Sequence, residues 1–244
     1  MKRVSKVAFH TLGCKLNYSE TATISKQFTE SGFETVNFNS AADLYVINTC
    51  SVTENADKEC RKIVNKAKSI APDATVAVIG CYAQLKPNEI REIAGVDMVL
   101  GASEKFNILD HFNSFDSEIP LVIGCDIREL SEFIPTQSDR NRTRSFIKVQ
   151  DGCDYSCSFC TIPLARGRSR SDTIENVIER IHSLLSSGTK ELVLSGINLG
   201  DFKDRSQNRT RDFLDLIRTI DKIDSLERVR ISSIEPNLLS DDII

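Results

Sequence analysis

The sequence predicts an α/β protein in which a parallel sheet, with helices on its faces, precedes about half of a (β/α) barrel. Two observations lead to this fold class. Short apolar runs alternate with amphipathic segments through roughly the first hundred residues, which is the pattern of parallel strands joined by helices. Beyond residue 145 the alternation resumes as three strand-and-helix units. The polar segment between the two regions lacks periodicity, and this is typical of a linker.

The first region contains strands and helices in alternation. The predicted strands cover residues 6–12, 33–38, 43–48, 75–79 and 96–100, and the predicted helices cover 17–31, 54–70 and 89–93. In the first helix Ile24 and Phe28 form an apolar i, i+4 pair, and Gly32 occupies the position after the helix end, where glycine is favoured.

The second region contains three predicted strands, at 145–150, 191–195 and 228–233, and helices at 173–187 and 213–223. The sequence therefore predicts three parts: an N-terminal α/β domain over 1–130, a linker over 131–144 and a partial barrel over 145–244. A partial barrel leaves an open parallel edge. We therefore expect the chain to be an N-terminal fragment.

The amino-acid composition limits the class of protein to which the chain can belong. The 244 residues carry a net charge of −4, with 40% hydrophobic and 27% charged residues, as expected of a globular protein. The eight cysteines are too sparse for a secreted disulfide scaffold. No apolar run approaches the ~18 residues of a membrane span. These features predict a cytoplasmic protein without a membrane partner.

Basic residues are concentrated between positions 140 and 170. This stretch contains Arg140, Arg142, Arg144, Lys148, Arg166, Arg168 and Arg170 against only two aspartates. One interpretation is a basic stripe that follows a phosphate backbone. The other is a solvated linker followed by arginines that neutralise nearby thiolates, and charge alone does not separate the two.

Three cysteines are clustered just after the strand at 145–150. Cys153, Cys157 and Cys160 have the spacing C-x3-C-x2-C, and three neighbouring thiols cannot all pair as disulfides. Thiolates suit iron–sulfur clusters and zinc. Three ligands on a four-iron cluster leave one iron open to a substrate or cofactor. The alternatives are a three-cysteine zinc loop and a loop of free thiols.

Three further cysteines share another position. Cys14, Cys50 and Cys81 each follow the carboxyl end of a predicted strand, which is the edge where open α/β sheets bind ligands. They could form a second three-thiolate site, although small buried thiols are an equally good interpretation of the spacing. Cys60 and Cys125 match no ligand position and are interpreted as structural.

The cysteine motifs resemble those of the radical S-adenosylmethionine (SAM) enzymes, and specifically of the methylthiotransferases. The resemblance is carried by the segments VQDGC at 149–153, CTIPLARG at 160–167, TLGCKLN at 11–17, NTCSVT at 48–53 and IGCYAQ at 79–84. It implies that Cys153, Cys157 and Cys160 hold a 4Fe–4S cluster whose open iron binds SAM. It also implies that Cys14, Cys50 and Cys81 hold an auxiliary 4Fe–4S cluster.

The resemblance also suggests where SAM is bound. Phe159 and Ile162 would pack against the adenine, and Gly196 would allow the backbone to approach the amino group of SAM. Asn198 would donate to its carboxylate or ribose. Ser233 and Glu235, at the end of the third strand, are weaker predicted contacts.

The same resemblance implies a function. The family adds a methylthio group to a C–H carbon, and needs an external one-electron reductant and a sulfur donor. The segment RISSIEP at 230–236 is most similar to the subfamily that acts on threonylcarbamoyl-modified adenosine next to the tRNA anticodon. The alternatives are isopentenyl-adenosine in tRNA, an aspartate of a ribosomal protein, a different radical SAM reaction, and a zinc-binding RNA module.

Overall fold

The computed structural model describes residues 5–50, 55–117, 119–138 and 144–244. The chain forms two compact units, Met1–Leu130 and Ser131–Ile244. Within the described ranges, no helix combines the length and the apolar character that crossing a membrane requires.

Unit 1 is built on a parallel sheet, as the alternating pattern predicts, but the sheet has six strands where the sequence predicts five. Its strands are β1 (Lys6–Thr11), β2 (Glu34–Val36), β3 (Leu44–Thr49), β4 (Thr75–Gly80), β5 (Met98–Leu100) and β6 (Leu121–Ile123). Their order is β2-β1-β3-β4-β5-β6, and every neighbouring pair is parallel. Every residue of β3 is buried, because a central parallel strand is covered on both faces.

Helices cover both faces of this sheet. They are α1 (Lys15–Glu30), α2 (Asn55–Ile70), α3 (Cys81–Leu85), α4 (Pro87–Arg91) and α5 (Ile108–Ser114). Ile24 and Phe28 of α1 pack in one apolar cluster with Val46 of β3. Val64 of α2 packs with Ile47 in a separate cluster. Since successive side chains of a strand point to opposite faces, α1 and α2 lie on opposite sides of the sheet.

Unit 2 contains a three-stranded parallel sheet with the order β13-β10-β7. Its strands and short β-ribbons are β7 (Arg144–Lys148), β8 (Gln150–Asp151), β9 (Arg170–Ser171), β10 (Glu191–Ser195), β11 (Lys203–Asp204), β12 (Arg211–Asp212) and β13 (Arg228–Ile231). Its helices are α6 (Ile162–Arg166), α7 (Ile174–Ser186) and α8 (Phe213–Ile220). The predicted partial barrel is confirmed as three parallel strands joined by helices α7 and α8.

Part of the predicted linker is packed rather than free. Thr136 and Ser138 are buried, and this segment pairs with the outer edge of β7. Ser138 N donates to Phe146 O at 2.9 Å, and Lys148 N donates to Thr136 O at 2.9 Å. The segment satisfies strand-edge groups that would otherwise lack partners. Residues 139–143 of the predicted linker lie outside the described residues.

Candidate metal centres

The loops that carry Cys14, Cys50 and Cys81 lie side by side in unit 1. They follow β1, β3 and β4, which are adjacent in the sheet. Cys14 precedes the first residue of α1, Cys50 directly follows β3, and Cys81 begins α3. The carboxyl ends of neighbouring parallel strands share one edge, so the fold places the three loops at that edge.

Buried side chains join these loops. Asn17 Nδ2 donates to Leu12 O at 2.9 Å and to Thr49 O at 3.0 Å, which connects the ends of β1 and β3. Thr49 Oγ1 donates to Ile79 O at 2.6 Å, which connects β3 to β4. The thiol of Cys14 lies 3.8 Å from Asn17 Oδ1. Asn17 therefore orders the edge from which Cys14 projects.

Two glycines allow the loops to approach closely. Gly13 has φ 103°, and a Cβ there would lie 2.6 Å from Cys50 Cβ and 3.0 Å from its Sγ. Gly80 has φ 100°, and a Cβ there would lie 2.4 Å from Thr49 O. A side chain at either position would force the loops apart and strain the backbone.

The second cysteine group lies in unit 2, on the loop between β8 and α6. Cys153 N donates to Gly167 O, and Cys160 N donates to Cys157 O, each at 3.1 Å. Cys157 is exposed, and Cys153 and Cys160 are half-buried. The three thiols thus lie on one loop, within a stretch of eight residues.

Electrostatics link the three thiols. Burial raises the pKa of the Cys153 thiol, a hydrogen bond from the backbone of Tyr155 opposes this, and the charges of Asp201, Cys160 and Cys157 raise it further. A bound metal reverses this preference, because a coordinating thiol is deprotonated.

The donor set fits a cluster in its chemistry. None of the eight cysteines forms a disulfide, and three thiolates are the ligands expected for a four-iron cluster with one open iron. In the described part of the chain, no three histidine, cysteine or carboxylate side chains are grouped so that they could hold a metal ion. The six cysteine ligands therefore stay predictions.

A buried charge network lies beneath the second cysteine loop. Asp151 Oδ1 accepts from Gly152 N at 2.9 Å and from Arg166 Nη1 at 3.0 Å. Asp151 Oδ2 lies 3.3 Å from Lys148 Nζ and 3.4 Å from Arg170 Nη2. Asp151, Lys148 and Arg166 are 3%, 1% and 3% exposed. The network joins the residue before the loop to the helix after it.

This network bears on the two interpretations of the basic stretch, because it pairs several of the cations within the protein. Lys148 and Arg166 are buried and face Asp151, and Arg170 also donates to the carbonyl oxygens of Arg166 and Glu132. Burying cations requires paired partners, and Asp151 supplies one. Of the seven basic residues, Arg144 and Arg168 are exposed, and Arg140 and Arg142 lie outside the described residues.

Most of the predicted SAM contacts are brought together. Asn198 follows β10, and its Oδ1 accepts from Glu235 N at 3.2 Å while its Nδ2 donates to Asp201 Oδ2 at 3.1 Å. Ser233 has φ 55°, and its carbonyl accepts from Leu199 N at 2.9 Å. The loops after β10 and β13 are therefore joined. The amide of Asn198 is engaged within the protein, so it also orients these loops.

The two residues predicted to pack against the adenine are Phe159, on the cysteine loop, and Ile162, in the element that follows it. The Phe159 side chain is 88% exposed. Ile162 begins α6 and is half-buried. Gly196 is buried against Gln150, and a Cβ there would lie 2.9 Å from Gln150 Oε1. The adenine contact assigned to Phe159 and Ile162 stays a prediction.

The chain is similar to known proteins over nearly its whole length. Residues 6–101 match the model described as "Uncharacterized protein family UPF0004". The chain is 38% identical over 99% of its length to "Threonylcarbamoyladenosine tRNA methylthiotransferase MtaB" of Bacillus subtilis, and covers 54% of that protein. It is 36% identical over 98% of its length to the protein of the same name from Thermotoga maritima, again covering 54%. A Clostridium botulinum "tRNA-2-methylthio-N(6)-dimethylallyladenosine synthase" is 30% identical over 99% of the chain, which covers 55% of it.

Solved structures agree at the level of the fold. "Radical S-adenosylmethionine methyltransferase, TsrM, from Kitasatospora setae", solved with cobalamin and a [4Fe-4S] cluster bound, matches 98% of the chain with a TM-score of 0.60. The identity is 14%, and 56% of that protein is covered. The chain spans about half the length of the curated relatives it matches. Over nearly its whole length the chain is similar to proteins named as tRNA methylthiotransferases, and this similarity agrees with the resemblance carried by the cysteine motifs.

Proposed function

We propose that this chain provides two 4Fe–4S sites and the SAM site of a tRNA methylthiotransferase that modifies threonylcarbamoyl-adenosine next to the anticodon. The observation that carries the proposal is the three-cysteine loop after β8. In the same unit, Asn198 joins the loops that follow β10 and β13 by a hydrogen bond, and these loops carry four of the predicted SAM contacts. The 38% identity to a protein named for this reaction supports the choice of nucleoside.

Different residues of the chain would hold the two clusters and SAM. Cys153, Cys157 and Cys160 would hold one cluster, and Cys14, Cys50 and Cys81 the auxiliary one. When bound, the first cluster and SAM would supply one-electron reductive cleavage of the sulfonium. Gly196, Asn198, Ser233 and Glu235 would bind and orient SAM, with Phe159 and Ile162 at the adenine. An external one-electron reductant and a sulfur donor complete the reaction.

Analysis of tRNA nucleosides tests the proposed reaction. In a strain from which the gene is deleted, we expect the methylthio form of threonylcarbamoyl-adenosine to disappear from digested tRNA and the unmodified threonylcarbamoyl form to accumulate. Mass spectrometry distinguishes the two by the added methylthio group.

Loss of methylthiolated isopentenyl-adenosine instead would favour the reaction named for the Clostridium relative. Unchanged tRNA together with a lost modification of a ribosomal protein would favour the aspartate substrate. Purified protein that contains zinc without iron or acid-labile sulfide would favour the zinc-binding RNA module.

A surface of unit 1 is suited to the RNA backbone. Lys58, Lys62 and Lys66 are exposed on α2, and their spacing of four residues places them on one face, about 6 Å apart along the axis. Among the described residues, no carboxylate lies in salt-bridge range of these three lysines. Elsewhere in unit 1 Lys6, Lys26 and Lys86 do form carboxylate pairs, with Glu34, Glu30 and Glu89.

Replacing Lys58, Lys62 and Lys66 together by alanine is therefore expected to weaken tRNA binding. Each phosphate contact contributes roughly 0.7–0.9 to the slope of log affinity against log salt, so the slope should become shallower by about 2–3. Fluorescence anisotropy with labelled tRNA at several salt concentrations measures it. The matched control replaces Lys6, Lys26 and Lys86, which removes the same charge from ion-paired positions. Equal slopes for the two triple variants would rule out α2 as a phosphate-binding surface.

A further inference from the structure

Gln150 lies at the base of the cysteine loop, and its side chain is completely buried. Its amide nitrogen, Nε2, donates to Gly152 O at 2.7 Å, to Asp151 O at 3.1 Å and to Ser169 Oγ at 3.0 Å. These contacts hold the chain where it enters the loop and where it leaves toward β9. They also fix the orientation of the amide, because Nε2 faces two backbone acceptors.

The amide oxygen of Gln150 reaches a different loop. Oε1 accepts from Ile197 N at 2.8 Å and from Asn198 N at 3.0 Å. The loop is pressed against this side chain, since a Cβ at Gly196 would lie 2.9 Å from Gln150 Oε1 and 2.7 Å from Leu199 Cδ2. Gln150 thus joins the cysteine loop to the loop after β10: its two N–H groups are shared among three acceptors, and its oxygen accepts two hydrogen bonds.

Only a primary amide satisfies both sides of this contact. Glutamate keeps the acceptor that Ile197 and Asn198 require but has no donor for the two carbonyl oxygens. Leucine provides neither. A buried backbone group left without its partner is costly, so either change favours separation of the loops.

We propose that Gln150 is a positioning residue that sets the distance between the cysteine loop and the loop over 196–198, so that one SAM molecule reaches both. This inference rests on the proposed function, in which Cys153, Cys157 and Cys160 hold the cluster and Gly196 and Asn198 contact SAM. Gln150 would act through the two loops, without contacting the cluster or SAM itself. It acts by keeping the two halves of the SAM site in register.

The test uses the full-length protein, reconstituted anaerobically with iron and sulfide. Gln150→Glu is expected to retain the iron and sulfide content of the wild type but to bind SAM about tenfold more weakly in equilibrium dialysis, a change equivalent to about 1.4 kcal/mol. Its reduced cluster should give the wild-type electron paramagnetic resonance (EPR) spectrum without SAM. The spectral change on adding SAM should be smaller.

Two further variants sharpen the test. Gly196→Ala would place a Cβ against Gln150 Oε1 without altering the amide. Because Gly196 is also a proposed SAM contact, its expected loss of SAM affinity at wild-type iron content tests the loop over 196–198 and not Gln150 alone. Gln207→Glu makes the same charge change at an exposed position and should behave like the wild type.

The failures are distinguishable. A wild-type protein that binds neither cluster nor SAM overturns both the proposed function and this inference. A functional wild type with unchanged SAM affinity in Gln150→Glu overturns the inference alone. Loss of iron in parallel with SAM affinity would show that Gln150 supports only the fold of the cysteine loop, which also overturns it.

Discussion

Replacing Cys153, Cys157 and Cys160 together by alanine is expected to remove about half of the bound iron and to abolish SAM cleavage. The three thiols lie on one loop in unit 2, and thiolates are the ligands that a four-iron cluster requires. Replacing Cys14, Cys50 and Cys81 should also remove about half of the iron, because these residues belong to a separate edge in unit 1. That second variant should retain part of the SAM cleavage.

Iron and sulfide analysis and the yield of 5′-deoxyadenosine measure these effects after anaerobic reconstitution. Cys125→Ala is the matched control, since this half-buried thiol follows β6 and belongs to neither group. It should keep the wild-type iron content. Equal loss of SAM cleavage from both triple variants, at equal folding, would contradict the assignment of two separate centres.

The fold could be predicted where periodicity is long and strong. The strands at 43–48 and 75–79 correspond to β3 and β4, and the helix at 173–187 corresponds to α7 (Ile174–Ser186). The sequence prediction missed the helices α3, α6 and α5, which have five, five and seven residues, and the strand β6, which has three. Elements this short span at most about two helical turns or a few strand residues, so apolar periodicity does not distinguish them from loops.

Element ends were also missed where local geometry decides them. The strand predicted over 228–233 ends at Ile231, and Ser233 adopts φ 55°. A residue in the left-handed region cannot continue a strand, and nothing in the amino-acid type of Ser233 announces this conformation. Likewise α1 begins at Lys15 instead of Asn17, which places Cys14 at its N-terminal boundary.

The sequence predicts the thiols of the candidate sites but not the residues that support them. Spacing and strand ends identify the cysteines. The supporting bonds connect distant positions: Arg166 lies 15 residues from Asp151, and Ile197 lies 47 residues from Gln150. The supporting residues Gln150 and Asp151 lie within the segment VQDGC at 149–153, yet only the tertiary structure shows their partners. Charge counting left the role of Lys148 and Arg166 open for a related reason, because it does not distinguish a buried cation from an exposed one.

Asp151→Asn is expected to destabilise unit 2 by about 3–5 kcal/mol, the usual effect of removing one partner from a buried ion pair. The substitution preserves the size of the side chain but removes the negative charge that faces Lys148, Arg166 and Arg170. Since Arg166 lies in the helix after the cysteine loop, the loop should also hold iron less well. Hydrogen exchange of the unit 2 amides measures the stability separately from unit 1.

The matched control for Asp151 is Glu227→Gln in the same unit. Glu227 Oε1 lies 2.7 Å from Lys190 Nζ, but both side chains are more than half exposed, at 61% and 72%. Water and salt screen such a pair, so its loss should scarcely change the exchange rates. If Asp151→Asn altered exchange no more than Glu227→Gln, the buried network would not be what holds the cysteine loop. If exchange accelerated first at β7 and α6, the charge network would be the element that couples the stability of unit 2 to its capacity for the cluster.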